Sequence, residues 1–422
     1  MDIRTINKCR VCGSAKLTSI LSLGELYVSD FLDPGQEYRG VKAPLELILC
    51  SEKDGGCGLL QLKHTVPGEA MYRNYWYRSG INKTMTDELN GIAAVVSKMA
   101  NLKENDFVID IGANDGTLLR GYKMPGIKTI GFEPARNLEA YNKEGTTRVF
   151  VDFFNHAVWQ KEFGDKKAKA ITAIAMFYDL DDPNAFVSDI VKSMDDEGVF
   201  VIQMMYLPSF IQRNAFDGIC HEHLEYYSLL ALENLLKRHG LEIFDLEMRE
   251  SINEGSIRVY IRKEGKGKTI RIPDGAEARL AATRDEEKKL GLGEKEVYEK
   301  FAARVLKAKA QIMDFINREV AKGKTIHGYA ASTKGNTTLQ FYGLTPKHIE
   351  AIADRNPVKW GKVTVGTQLP VVSEADSRAK NPDYYLVLAW HFFPEFKERE
   401  KEYLNKGGKF ILPMPEFKVI EA

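Results

Sequence analysis

Cysteine is scarce in this chain, with five among 422 residues, too few for a small secreted scaffold held by disulfides. No apolar run approaches the roughly 20 residues that a membrane-spanning helix needs, and the opening MDIRTINKCR lacks the apolar stretch of a signal peptide. The sequence therefore predicts a cytoplasmic protein with no membrane partner. An excess of one charge is missing too, since 59 Lys and Arg stand against 59 Asp and Glu. Without a basic surplus, nucleic acid is not the expected partner. Solenoid repeats and low-complexity tracts are absent as well. What is present is 44% hydrophobic and 28% charged residues, a globular composition long enough for roughly two to four domains.

Four of the cysteines, Cys9, Cys12, Cys50 and Cys57, fall within the first 57 residues. In a reducing compartment a C-x-x-C knuckle followed by a second pair reads as four thiolates around a structural zinc. The second pair, CSEKDGGC, has six residues between its cysteines where two to four are usual. Free thiols with a redox pair are the other arrangement this spacing allows. No activating carboxylate accompanies the cluster, so the zinc is expected to be structural and to have no part in catalysis.

Farther along, β-prone runs (LELILC, GLLQL) give way to a tyrosine-rich stretch, MYRNYWYRSGINKTM, and an amphipathic helix candidate, TDELNGIAAVVSKMA. FVIDIGANDGTLL reads as strand, glycine turn and helix start, and TIGFEPA as the next strand. AITAIAM and GVFVIQMMYL continue an α/β alternation with a mostly parallel sheet, and SIRVYIR looks like a late antiparallel strand. Residues 275 to 322 are expected to form one long helix, from Val297, Phe301, Val305, Ile312, Phe315 and Val320 at near-helical spacing. Beyond it, TIHGYAASTKGNTTLQFYGL, IEAIADRNP, DYYLVLAW and KFILPMP suit a second set of βαβ units.

Two clusters carry chemistry. Asp110, Gly112, Asn114, Asp115 and Gly116 follow a strand and open a helix, and Glu133, ahead of Pro134, ends the next strand 21 positions after Gly112. Glycines there let the backbone approach a cofactor, while a carboxylate at that distance can accept both hydroxyls of a ribose. The pattern lacks the third glycine of a dinucleotide fingerprint and resembles motif I of class I S-adenosylmethionine-dependent methyltransferases. By that resemblance Asp152 and Phe153 lie where such enzymes contact adenine. In the second cluster, His221 and His223 flank Glu222, offering a base that titrates near neutrality and a carboxylate to orient it. At i and i+2 the two imidazoles point apart, so a shared zinc is not expected.

CRVCGS, GANDGTLL with GFEPA, AFDGICHEHLEYYSL, GSIRVYIR, GYAASTKGNTTL, PDYYLVLAW and GGKFILPMPE together resemble the three-part sugar C-methyltransferase family over nearly the whole chain. The resemblance implies an α/β protein with a small zinc-binding N-terminal domain (1–70), a central class I methyltransferase Rossmann-like domain (71–265), a helical linker (266–322) and a C-terminal Rossmann-like α/β domain (323–422). It also implies S-adenosylmethionine as methyl donor. The implied acceptor is a nucleotide-diphosphate-linked keto-deoxysugar, methylated on the carbon beside the keto group through an enolate. His223 is then the base, Glu222 its neighbour, and Tyr75 and Tyr77 line the pocket. Two positions depart from the family: Cys220 stands where a tyrosine is common and Asp179 where a histidine is frequent. A thiol is a poor donor and a carboxylate none, so enolate support or the acceptor itself must differ.

Ser332, Thr333, Lys334, Gly335, Asn336 and Thr337, read as a loop ahead of a helix, offer N–H groups, hydroxyls and one cation suited to a diphosphate. The G-x-x-x-x-G-K-[ST] spacing of a Walker A loop is absent there. A solvated turn is the plain alternative. Competing classes are a methyltransferase on another carbonyl or hydroxyl acceptor, an NAD-dependent sugar oxidoreductase and a zinc-dependent binding module. GYAASTKG lacks the dinucleotide spacing, and the long α/β remainder leaves little room for the last.

Overall fold

A computed structural model describes residues 2–36, 40–250, 252 and 255–422. Strands β1 (Thr18–Tyr27), β2 (Lys42–Leu49) and β3 (Leu60–Leu62) form an antiparallel sheet near the N-terminus. Leu45, Leu47 and Leu49 alternate inward along β2 and are fully buried, the period-2 pattern that fixes register.

Helix α1 (Lys83–Met99) follows, its first turn capped by the side chain of Asn82, which accepts from the N–H groups of Thr84 and Met85. Then come β4 (Phe107–Ile111), α2 (Thr117–Gly121), β5 (Lys128–Phe132), β6 (Arg148–Phe150), β7 (Ala168–Ile174), α3 (Pro183–Ser193) and β8 (Met194–Met205). A short strand β9 (Glu225–Tyr226), helix α4 (Leu229–Lys237) and strands β10 (Leu241–Arg249) and β11 (Ser256–Lys263) complete this part. Seven strands make one sheet in the order β10-β11-β8-β7-β4-β5-β6. β6, β5, β4, β7 and β8 run parallel, and β11 is antiparallel to both of its neighbours, β8 and β10. The chain steps outward from β4 through β5 to β6, then returns to β7 on the other side. That reversal opens a crevice outside the carboxyl ends of β4, β5 and β7, where ligands bind in such sheets.

β9 is not part of that sheet. It pairs antiparallel with β3, Glu225 opposite Gln61 and Tyr226 opposite Leu60, so the order of the N-terminal sheet is β9-β3-β2-β1.

The single helix expected over 275–322 is two helices, α5 (Ala276–Leu290) and α6 (Lys295–Ala321). Gly291 ends α5 at φ +73°, its N–H bonded to the carbonyls of Glu287 and Lys288, a left-handed cap that glycine takes without steric cost. The buried stripe of α6 carries Tyr298, Phe301, Val305, Ile312 and Ile316, with Val297, Phe315 and Val320 only partly covered.

The remaining chain forms β12 (Ile326–Tyr329), α7 (Thr333–Tyr342), β13 (Ile352–Asp354), β14 (Val371–Ser373), β15 (Tyr384–Val387), β16 (Lys409–Leu412) and β17 (Lys418–Ile420). They lie in the order β14-β13-β12-β15-β16-β17, all parallel except β17. This sheet has its own reversal between β12 and β15. The Gln340 side chain on α7 bonds both backbone groups of Tyr27, at 2.8 and 3.0 Å, and Phe31–Leu32 pairs with Val363–Thr364. The two ends of the chain are therefore in direct contact. No helix among the described residues is long and apolar enough to cross a membrane.

Candidate active site

The crevice of the central sheet is built from the glycine turn. Gly112, Asn114 and Gly116 all have positive φ (+69°, +51° and +77°), so the turn folds tightly enough to leave backbone exposed to a ligand. Glu133, 7% exposed, accepts from the N–H of Asn114 and of Ala135, both at 2.8 Å, which aims its carboxylate into the crevice. Burial raises its pKa and the two N–H bonds oppose the rise. Each oxygen keeps a lone pair for a hydroxyl donor. Asp110 is placed differently: its carboxyl accepts the Thr172 hydroxyl at 2.6 Å, and burial pushes it up to about 7.

A strap over this turn was hidden in the tyrosine-rich stretch. Asn114 Oδ1 accepts from Ser79 N at 3.0 Å, its Nδ2 donates to the Tyr77 carbonyl at 3.1 Å, and Asp115 Oδ2 accepts from Gly80 N at 2.8 Å. Asn114 and Asp115 therefore clamp residues 77–80, and Tyr77 is 45% exposed. Just beyond β6, Asp152 Oδ1 accepts from Arg73 at 3.0 Å and from the Phe153 N–H at 2.9 Å. The Arg73 guanidinium lies 4.9 Å from the Phe153 ring centre. Pro134 continues the strand end between Glu133 and Ala135.

Opposite the crevice sits the segment from Cys220 to Tyr227. His223 Nδ1 is 2.9 Å from the Gly218 carbonyl. A carbonyl only accepts, so Nδ1 carries the proton and Nε2 holds the lone pair in the neutral ring. The orienting group is thus a backbone carbonyl, whereas the sequence suggested Glu222. Tyr178 packs edge-on against the imidazole at 4.4 Å. His221 is buried, with Nε2 3.0 Å from the Ala43 carbonyl, and burial lowers it to about 4. It is a neutral tie between this segment and β2.

Around His223 the structure gathers Asp179, Glu222, Cys220, Tyr75 and a residue the sequence analysis passed over, Tyr72. The Tyr72 hydroxyl donates to the Glu222 carbonyl at 3.1 Å. Burial pushes the Tyr72 and Tyr75 phenols well above their usual range, helped by the charges of Asp179 and Glu222. Tyr75 also feels Glu133, which places it between that carboxylate and this pocket. The only hint in the sequence was the i, i+3 spacing of the two tyrosines.

Lys334, in the first turn of α7, lies close enough for its charge to act on the Cys220 thiol, lowering its pKa. Read as a loop, 333–337 is the first turn of α7, capped by Ser332 Oγ accepting from Gly335 N at 2.9 Å. Ser332, Thr333 and Lys334 remain partly accessible. Gly335, Asn336 and Thr337 are buried, and a Cβ on Gly335 would come within 2.9 Å of Leu388. Asp354, ending β13 where a dinucleotide fold holds its ribose acid, faces the Lys359 ammonium at 3.7 Å, which also donates to the Ala331 carbonyl at 2.7 Å. That acid already has a partner.

At the N-terminal sheet the four sulfurs of Cys9, Cys12, Cys50 and Cys57 lie within 4.8 Å of one another, with Cys9–Cys57 at 3.6 Å and Cys12–Cys50 at 3.4 Å. Four Zn–S bonds of about 2.3 Å in a tetrahedron set sulfurs about 3.8 Å apart, so the quartet fits the ion. The long second spacing is absorbed by a turn. Gly55 takes φ +83°, Gly58 N returns to the Cys50 carbonyl at 2.9 Å, and a Cβ at Gly56 would lie 2.5 Å from Cys50 Sγ. Cys220 stands apart from the quartet, buried in the His223 pocket.

The fold and the two crevice-facing clusters define an S-adenosylmethionine-dependent methyltransferase with a structural zinc site. Three family models match in succession: a zinc binding domain over residues 9–72, a methyltransferase domain over 82–246 and a C-methyltransferase C-terminal domain over 251–415. The chain is 30% identical over 423 residues to C-methyltransferase NovU of Streptomyces niveus, covering 100% of this chain and 98% of that one. It belongs to the same family of C-methyltransferases. Similar solved structures include a complex of the Haloferax volcanii Trm112 methyltransferase activator with a methyltransferase (15% identity, TM-score 0.37, 44% of this chain and 94% of that chain). An S-adenosylmethionine-dependent methyltransferase from Clostridium acetobutylicum is another (14% identity, TM-score 0.34, 43% of this chain and 92% of that chain).

Proposed function

We propose that the acceptor is a nucleotide-diphosphate-linked keto-deoxysugar, methylated on the carbon beside its keto group through an enolate. The observation that carries this reading is His223, whose Nδ1–H is committed to the Gly218 carbonyl, leaving Nε2 as a base at the mouth of the cofactor crevice. A carbon nucleophile needs a C–H acidified by a neighbouring carbonyl and a base near neutrality to take its proton. Bound S-adenosylmethionine supplies the electrophilic methyl group. Glu133 holds the ribose hydroxyls, Asp152 and Phe153 border the adenine, and the strap at 77–80 covers the turn. Tyr72 and Tyr75 wall the acceptor from bulk water and fix its ring beside the donor. Ser332, Thr333 and Lys334 meet the diphosphate across the cleft. In this reading the functional units follow the boundaries 1–70, 71–265, 266–322 and 323–422, and the protein works in the cytoplasm, where nucleotide sugars are made.

Incubation with a panel of nucleotide-linked 4-keto sugars and methyl-labelled S-adenosylmethionine, followed by NMR location of the label, tests this. The label is expected on a ring carbon next to the carbonyl. Label on oxygen, or none with any keto sugar, would refute the acceptor.

Glu133→Ala is expected to weaken S-adenosylmethionine binding by about 1.5–3 kcal/mol, the worth of hydrogen bonds to a charged group. Calorimetry checks it, with NAD as the control ligand. Unchanged affinity, or binding of NAD in place of S-adenosylmethionine, would remove Glu133 from the cofactor site.

A further inference from the structure

The two departures from the family face each other across one pocket. Asp179 Oδ1 and Glu222 Oε2 are both buried without a hydrogen-bond partner, and neither carboxyl forms an ion pair among the described residues. Their segments are bolted together, Leu224 N donating to the Tyr178 carbonyl at 2.8 Å. Cys220, the other departure, lies close enough to Glu222 to feel its charge, and a thiol is a poor donor to a ligand. An ionised carboxylate in such a place is costly, and two in one pocket cost more. The groups around them offset this only in part: the Tyr72 hydroxyl beside Asp179 lowers its pKa, and burial outweighs that. Tyr72 and Tyr75 come from the strap side, Tyr226 and Glu225 from β9, and Glu225 answers to Arg10. Lys334 acts on Cys220.

We infer that Asp179, given the keto acceptor proposed above, stands in the pocket as a neutral carboxylic acid whose O–H donates a hydrogen bond to the acceptor's carbonyl oxygen. The acid takes over the task for which the family resemblance implies a tyrosine or histidine. Its unpartnered Oδ1 is a buried polar atom on this wall that a ligand can satisfy, and a protonated carboxyl is a donor where a carboxylate is not. Burial first, then the charges of Glu222 and Glu225, push Asp179 well above the carboxylate range, which keeps the proton in place at neutral pH. As the acceptor's C–H proton passes to His223, the electron pair moves onto the carbonyl oxygen. The Asp179 proton stays on Asp179 and strengthens its bond to that oxygen.

Infrared spectroscopy of the whole protein at neutral pH reads the acid directly. One C=O stretch of a protonated carboxyl, separate from those of other buried acids such as Glu225, is expected in the wild type and in Cys220→Ala and is expected to be missing from Asp179→Asn, read in the difference spectrum. With dTDP-linked 4-keto-6-deoxyglucose as probe, Asp179→Ala is expected to lose about 10²- to 10³-fold in kcat with little change in KM, the cost of one oxyanion donor. Asp179→Asn keeps an N–H donor that cannot ionise. Its turnover is expected to stay well above that of the alanine variant, and to lose the alkaline fall that the wild type shows when Asp179 gives up its proton. A purely structural Asp179 would leave that limb in place. No band lost between wild type and Asp179→Asn, with an active keto sugar, would overturn the inference alone. The band present with no keto sugar turned over would overturn the acceptor reading, and with it the task given to Asp179.

Discussion

His223→Ala is expected to abolish methyl transfer and, in the same stroke, exchange of the acceptor's α-proton in deuterated water. Three facts set the expectation. The ring is tied through Nδ1 to Gly218, so Nε2 alone can take a proton. His221, two residues away, is neutral, buried and tied to Ala43, so it cannot substitute. Tyr178 packs on the imidazole and holds its angle. A general base contributes about 10²- to 10⁴-fold to a rate, and the loss should fall on kcat. Binding of S-adenosylmethionine should persist, because the lost contact belongs to the transition state. Turnover close to wild type in this variant would sink the assignment and make Glu222 the next candidate.

Removal of zinc is the second large effect. Elemental analysis should return about one zinc per chain, since four thiolates close one tetrahedral site. Structural zinc sites contribute on the order of 10 kcal/mol of folding free energy, so chelation or Cys50→Ser should release β1–β3. The sequence suggests a metal that chemistry does not need. The structure links the two, because β9 is the edge strand of the zinc-bearing sheet. Leu62 N donates to the Leu224 carbonyl at 2.8 Å and His221 holds Ala43. Loss of the ion should therefore raise hydrogen exchange over residues 218–227 and stop turnover while cofactor affinity survives. All four thiols titrating freely in the native protein, or no metal found, would contradict this.

The parts legible in the sequence were those whose geometry is local. The Asp110 to Gly116 turn and Glu133 are separated by one βα unit, and the two-residue spacing of Cys9 and Cys12 sets a knuckle by itself. The long spacing of Cys50 and Cys57 looked irregular because its turn depends on Gly55 at positive φ and on Gly56 lying against the sulfur. The break at Gly291 was missed because the hydrophobic stripe continues at near-helical spacing beyond it. The strand Val371–Ser373 is too short for any periodicity. Tyr72 and Tyr178 carry no motif, and the tie of His221 to Ala43 joins residues 178 positions apart, a distance over which pattern says nothing. Of the diphosphate candidates, Ser332, Thr333 and Lys334 stay partly accessible, while packing claims Gly335, Asn336 and Thr337, a demand that only the sheet around them reveals.

The pairing of β9 with β3 also bears on how such a chain can be cut and recombined. By position Glu225 and Tyr226 lie in the stretch matched by the methyltransferase model, and by hydrogen bonding they belong to the N-terminal sheet. A fragment beginning near residue 82 would keep the seven-stranded sheet and its glycine turn. It would strip the segment bearing His223 of its strand partner β3 and of the tie from His221 to Ala43, leaving the contacts with Tyr178 and Gly218 to hold it. In chimaeras between relatives, the N-terminal piece would travel as half of the acceptor pocket's frame, so substitutions along β2 and β3, far from any reacting atom, become a route by which acceptor preference can drift.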